Sequence, residues 1–120
     1  MKTLNKLSDE IHENAKNKGF WDNPRETGTL LMLCVSELAE AMEADRKNRY
    51  SGKIVEEFEI GEDFCYEFES CIKDTFEDEL ADTIIRILDL CGAKGIDIEK
   101  HIELKMKYNA TRERMHGKKY

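Results

Sequence analysis

Apolar residues recur every three or four positions along almost the whole chain, which is the spacing of α-helices. Leu4, Leu7, Ile11 and Ala15 predict a first helix that Gly19 closes. A second helix is predicted from about Thr27 to Lys47. Its inward positions are Leu30, Leu31, Leu33, Cys34, Leu38, Ala41 and Met42.

The second half of the chain continues the helical pattern after a loop at residues 48–61, where Ile54–Ile60 is the one candidate strand. A short helix is predicted over 64–72. A long helix is capped by residues 73–75 and runs to Cys91, with Gly92 at its C-terminal end. The last helix runs from Asp97 to about His116 and stops at Gly117. The predicted fold is all-α: one domain, residues 1–120, with four main helices in an antiparallel bundle and one short extra helix.

Composition narrows the class of protein. The 120 residues are 40% hydrophobic and 38% charged, with one proline, so the chain has apolar residues for one core and little surplus. Because no apolar run approaches the roughly 20 residues that cross a bilayer, and no signal peptide begins the chain, a soluble cytoplasmic protein is expected. The four cysteines (Cys34, Cys65, Cys71, Cys91) lack C-x-x-C spacing and are expected to be reduced core thiols.

Charge is unevenly distributed. The net charge of −7 disfavours a general nucleic-acid binder. Residues 56–82 carry twelve acids and one base, whereas residues 100–120 carry seven bases and two acids. This contrast is compatible with two solvated faces, or with a cation site beside an anion-binding segment.

Two pairs of acids stand out because they lie on apolar helices. Glu37 and Glu40 on the second helix are about 60° apart on one face, and Glu79 and Asp82 repeat that geometry on the fourth helix. One interpretation is that these carboxylates lie on solvated helix faces, where glutamates are common. Carboxylates facing a core must be paired or bound to metal. Oxygen ligands without histidine partners select a hard cation, Mg²⁺ or Mn²⁺.

The last helix offers a complementary stripe. Lys105, Tyr108, Asn109 and Arg112 fall at i, i+3, i+4 and i+7, which places them on one helix face. They form either a solvated basic face, in which the aliphatic parts of the side chains cover apolar surface, or an anion-binding site. No P-loop and no nucleophile with a neighbouring base is present, so covalent catalysis has no support.

Together these residues resemble a known family. The order Glu37-x-x-Glu40, Glu79-x-x-Asp82, Lys105-x-x-x-Asn109-x-x-Arg112 is similar to that of the MazG-like all-α nucleoside triphosphate pyrophosphohydrolases. The resemblance implies a helical bundle that binds Mg²⁺ through the four acids and cleaves the α–β phosphate bond, releasing a monophosphate and pyrophosphate. It also implies a homodimer or homotetramer and a role in removing aberrant nucleotides. Ser36 stands where many members have a further glutamate.

A narrower resemblance concerns the base-binding residues. His12 and Trp21, followed by Asn23-Pro24-Arg25, are similar to the dCTP pyrophosphatase branch, in which both side chains contact the base. That branch has a further tryptophan near the position of Lys47. Trp21 is equally well interpreted as a core anchor after a turn.

The resulting hypothesis is a Mg²⁺-dependent enzyme. Glu37 or Glu40 acts as general base, while Lys105 and Arg112 neutralise the phosphates and Asn109 orients an oxygen. The competing interpretation is a non-catalytic helical module that binds a basic partner through its acidic segment and forms homodimers.

Overall fold

The structure is a computed structural model that describes residues 2–120. It contains five α-helices: α1 (Leu4–Asn17), α2 (Thr27–Arg46), α3 (Phe64–Cys71), α4 (Phe76–Lys94) and α5 (Ile98–Ala110). Two short 3-10 segments, Gly52–Glu57 and Arg114–Gly117, complete the regular structure, and no strand occurs within residues 2–120. The all-α prediction is confirmed. No helix in this part of the chain has the length and apolar character to cross a membrane.

The chain divides into two compact units. The central unit is Trp21–Ile87, and the terminal unit joins the N-terminal residues through Phe20 with Leu88–Tyr120. The boundary falls within α4.

In the central unit, α2 buries only one of its faces. Its buried positions are Leu30, Cys34, Glu37, Ala41 and Ala44, a stripe at helical spacing. The prediction that Leu31, Leu38 and Met42 face inward is wrong, because these side chains are about half exposed, at 52%, 49% and 52%. Each follows a buried residue by one position and is therefore turned about 100° away from the buried face.

The loop before α3 is attached to the start of α4. The candidate strand at Ile54–Ile60 is not formed, because residues 52–57 are a 3-10 helix. The Glu77 carboxylate accepts backbone N–H groups of Ser51 and Gly52 at 2.9 and 2.7 Å. Burial alone would raise the pKa of Glu77, but these N–H donors outweigh it and lower the pKa. The Glu77 carboxylate therefore ties the start of the 3-10 segment to α4.

In the terminal unit, α1 packs closely against the end of α4. Ser8 is buried and donates its hydroxyl to the Leu88 carbonyl at 2.5 Å. Gly92 lies inside α4, where an added Cβ would be 2.7 Å from His12 Cβ and 3.0 Å from the Ser8 carbonyl oxygen. The prediction that Gly92 ends the helix is therefore wrong. The left-handed residue that follows α4 is Gly95, with φ +64°.

The last helix ends earlier than the sequence pattern predicts. Asp97 caps α5 as expected, accepting the Lys100 N–H at 3.1 Å, but the helix stops at Ala110 rather than near His116. Thr111 donates both its hydroxyl and its N–H to the Tyr108 carbonyl, at 2.7 and 3.0 Å. This local bonding competes with continuation of the helix. Arg112 thus lies beyond α5.

All four cysteines are free thiols. Cys34 and Cys91 are buried as expected, whereas Cys65 and Cys71 are exposed because α3 buries none of its residues.

Candidate metal centre

Three of the four predicted acids meet in the central unit. Glu37 and Glu40 project from adjacent turns of α2, and Glu79 projects from the first turns of α4. One carboxylate oxygen from each lies within 4.8 Å of the other two. Glu37 and Glu79 are buried, while Glu40 is exposed. We call these three residues the first trio.

Glu79 is the most constrained member of the first trio. The residue is only 4% exposed, and its Oε2 is buried without a hydrogen-bond partner among residues 2–120. Burial, together with the neighbouring Glu40 and Glu37 carboxylates, raises its pKa to about 8. A buried polar atom of this kind costs free energy unless a cation or proton compensates it.

An arginine balances part of this charge. Arg86, two turns after Glu79 on α4, donates its Nε–H to Glu37 Oε1 at 2.9 Å. Burial opposes ionisation of Glu37, but hydrogen bonds from Arg86 and from the neighbouring acids outweigh it and lower the pKa. Sequence reasoning assigned no role to Arg86. Arg86 follows Glu79 by seven residues and so lies on the same face of α4, which is the sequence feature that could have indicated its role.

The fourth predicted acid, Asp82, does not belong to any group of three clustered acids within residues 2–120. Burial and the negative charges of Asp78 and Glu37 raise its pKa. Asp82 follows Glu79 by one turn of α4, and its oxygens are not among those of the first trio.

A second group of acids shares Glu79. Oxygens of Asp74, Asp78 and Glu79 also lie within 4.8 Å of one another, and we call these residues the second trio. An open cavity of about 250 Å³ adjoins both trios. It is lined by Glu40, Glu43, Arg49, Asp74 and Glu79. Sequence reasoning treated Asp74 only as part of a helix cap.

The predicted anion-binding residues lie in the terminal unit. The Lys105 ammonium and the Arg112 guanidinium lie 5.2 and 5.5 Å from the Tyr108 ring centre. The Tyr108 side chain is 57% exposed. Asn109 is half-buried, and its Oδ1 is buried without a hydrogen-bond partner in the described part of the chain. Lys105, Tyr108 and Arg112 therefore cluster around one ring although Arg112 is not helical.

The two predicted base-binding residues have different neighbours. In the terminal unit, His12 Nδ1 is 2.8 Å from Asp89 Oδ1, and both side chains are largely buried. In the central unit, the Arg25 guanidinium lies 5.4 Å from the Trp21 ring centre, and Trp21 is half-buried. Sequence reasoning assigned no role to Asp89.

The first trio suits a hard divalent cation. Its donors are all carboxylate oxygens, and the unpartnered Glu79 oxygen supplies a ligand atom whose desolvation is already complete. The exposed Glu40 leaves one side open to solvent. Comparison with protein-family models, with curated proteins and with solved structures finds no match for the chain.

Proposed function

We propose that the protein is a Mg²⁺-dependent nucleoside triphosphate pyrophosphohydrolase of the MazG-like kind, cleaving the α–β phosphate bond of a nucleotide. The observation that carries this proposal is the first trio, in which a buried glutamate without a hydrogen-bond partner lies among carboxylates from two helices. Carboxylates this close repel one another unless a proton or a cation compensates them, and a set of carboxylate oxygens is the donor set that Mg²⁺ prefers.

Glu37, Glu40 and Glu79 would hold the metal, with Asp82 as the fourth ligand that the resemblance implies. Mg²⁺ in this position supplies the Lewis-acid chemistry that offsets the charge of the reacting phosphates. Arg86 keeps Glu37 ionised and fixes one of its oxygens, which makes Arg86 a positioning residue.

The general base is best assigned to Glu40. Glu37 and Glu40 are the two candidates from the sequence, but Arg86 occupies Glu37 and weakens it as a proton acceptor. The pKa of Glu79, about 8, leaves it largely protonated at neutral pH in the absence of a cation. Glu40 is exposed and faces the cavity of about 250 Å³, where an attacking water has room.

The phosphates would be neutralised by Lys105 and Arg112, while the amide of Asn109 would orient a phosphate oxygen. Tyr108, which is exposed beside Lys105 and Arg112, is the proposed aromatic contact to the substrate in this group. His12 and Trp21 remain the proposed contacts to the base.

We further propose that the main helices of the chain form an antiparallel bundle and that the chain assembles as a homodimer or homotetramer. The exposed apolar side chains of α2 support this, since Leu31, Val35, Leu38 and Met42 recur at i, i+4, i+7 and i+11. A continuous apolar stripe of this kind is typical of a helix that packs on a partner helix.

One observation favours the competing function, a non-catalytic module for a basic partner. A cavity of about 410 Å³ in the central unit is bordered by five acids: Glu57, Glu59, Glu62, Asp63 and Glu67. Such a concentration of negative charge would attract a cationic peptide.

A nucleotide panel separates the two functions. The protein is incubated with each common nucleoside and deoxynucleoside triphosphate, with and without Mg²⁺, and pyrophosphate is assayed. The enzyme hypothesis predicts Mg²⁺-dependent pyrophosphate release from at least one nucleotide, and loss of that release in Glu40→Gln. No turnover on any nucleotide, together with no Mg²⁺ binding by calorimetry, would favour the module.

A further inference from the structure

We propose that Arg49 is a further substrate-binding residue, whose guanidinium contacts a phosphate oxygen of a polyphosphate anion held at the first trio. Arg49 follows the C-terminal end of α2, and its side chain is exposed. The inference rests on the proposed function, because it assigns to the same centre a phosphate contact that the sequence pattern does not include.

Arg49 borders the metal centre through the open cavity of about 250 Å³. The cavity is lined by four acids and one base: Glu40, Glu43, Asp74, Glu79 and Arg49. Two of these acids, Glu40 and Glu79, belong to the first trio. A guanidinium presents N–H donors in a planar fork that matches the oxygens of a phosphate group. A phosphate in this cavity could therefore contact Arg49 beside the carboxylates that would hold the metal.

The Arg49 guanidinium is not used by the protein itself. It forms no ion pair with any acid of residues 2–120. The lining acids outside the first trio have other partners. Glu43 pairs with Arg46 and Lys47 at 3.9 and 3.4 Å, and Asp74 pairs with the lysine before it at 3.8 Å. Arg49 is thus not the counter-ion of these acids, and its N–H donors are available to an anion that enters the cavity.

The backbone attaches Arg49 to both helices that carry the first trio. Asn48 has a left-handed conformation, with φ +54°, which turns the chain after α2. The Arg49 N–H donates to the Ala44 carbonyl of α2 at 2.8 Å, and the Arg49 carbonyl accepts the N–H of Phe76, the first residue of α4, at 2.9 Å. The Tyr50 ring packs against the Phe76 ring, with centroids 5.0 Å apart. Because the backbone is already fixed, binding an anion requires ordering of the Arg49 side chain alone.

Inorganic triphosphate is the probe, because it carries the phosphate chain of the substrate without base or sugar. Its binding to the whole protein is measured by calorimetry in excess Mg²⁺, and Mg²⁺ binding alone is measured in parallel. Arg49→Gln should bind inorganic triphosphate about tenfold more weakly than wild type, as expected for loss of a hydrogen bond to a charged group. Mg²⁺ binding should be unchanged or tighter, because a positive charge beside the acids has been removed.

Two further variants make the result specific. Arg49→Lys keeps the charge but not the planar fork, and it should recover part of the lost affinity. Lys53→Gln removes an exposed positive charge of the same loop that does not line the cavity, and it should bind inorganic triphosphate as wild type does. Thermal melts establish that each variant is folded. If Arg49 instead serves only to offset the repulsion among the acids, Arg49→Gln will melt at a lower temperature without Mg²⁺ while keeping its triphosphate affinity, which would overturn the proposal.

The outcomes separate this proposal from the proposed function. Unchanged triphosphate affinity in Arg49→Gln, with Mg²⁺ binding and pyrophosphate release by wild type, would overturn the role of Arg49 and leave the proposed function intact. An equal loss of affinity in Arg49→Gln and Lys53→Gln would show a general effect of charge and would also overturn it, as would a wild type that binds Mg²⁺ but no triphosphate. If wild type binds neither Mg²⁺ nor inorganic triphosphate, both proposals fail.

Discussion

Replacing Glu79 by glutamine is expected to stabilise the protein at neutral and alkaline pH while destroying its response to Mg²⁺. The change keeps the side-chain volume and removes a carboxyl whose pKa is raised from 4.5 to about 8. In the folded protein this group stays protonated between those values, whereas in the unfolded chain it ionises. Folding therefore takes up a proton, and stability falls as pH rises from 4.5 through 8.

The size of the effect follows from the shift. Each pKa unit corresponds to roughly 1.4 kcal/mol, so wild type loses on the order of 5 kcal/mol of unfolding free energy across this interval through Glu79 alone. The Glu79→Gln variant has no carboxyl at this position and so does not lose this stability. Its free energy of unfolding should match that of wild type near pH 4 and exceed it by several kcal/mol at pH 8.5.

Urea unfolding at a series of pH values in the presence of EDTA measures this difference directly. Glu69→Gln is the matched control, because it removes an exposed acid and should follow wild type in parallel. With Mg²⁺ added, wild type should gain thermal stability by mass action and Glu79→Gln should gain little. Parallel stability curves for Glu79→Gln and wild type, or an undiminished Mg²⁺-dependent shift, would refute the reasoning.

Three other substitutions test separate parts of the account. Arg86→Gln leaves the buried Glu37 carboxylate without its cation and should cost roughly 1–3 kcal/mol at pH 7, measured by urea unfolding. Gly92→Ala forces a Cβ against His12 and the α1 backbone, and should cost about 1–3 kcal/mol despite its better helix propensity. Leu38→Glu places a charge on the exposed stripe of α2 and should shift the mass measured by light scattering to that of a monomer.

For each of these substitutions, one result would contradict the predicted change in stability or mass. Wild-type stability in Arg86→Gln would show that the ion pair contributes nothing. A stabilised Gly92→Ala would mean that α1 can move away without cost. For Leu38→Glu, the contradictory result is an unchanged oligomer, or a wild-type protein that is already monomeric at micromolar concentration.

Helix positions could be predicted because apolar spacing and caps act locally. Thr27, Phe64 and Asp97 mark helix starts in both the pattern and the structure. The errors arise where tertiary contact decides. Glycine is a residue type common at helix ends, which is why Gly92 was assigned there. In the structure Gly92 lies inside α4 and allows α1 to approach closely, and no local sequence pattern reveals that contact. Likewise, α2 has more apolar residues than its single buried face uses, so Leu38 and Met42 were assigned inward.

The candidate site was predictable to the extent that it follows helix periodicity. The i, i+3 pairs placed Glu37 and Glu40 on one face and drew attention to Glu79. That Asp74 would approach Glu79 depends on a left-handed turn before α4, which an aspartate adopts only in particular surroundings. The Arg86–Glu37 pair joins α4 to α2, and spacing within one helix does not identify the partner across the unit.

The proposed function is cleavage of a nucleotide between its α and β phosphates with a divalent cation. Phosphorus-31 NMR of the products from a nucleotide that the protein consumes tests this most directly. The account predicts a nucleoside monophosphate and pyrophosphate in equal amounts, formed only with Mg²⁺ or Mn²⁺ present and not by Glu79→Gln. A nucleoside diphosphate with orthophosphate, or equal turnover in EDTA, would contradict it.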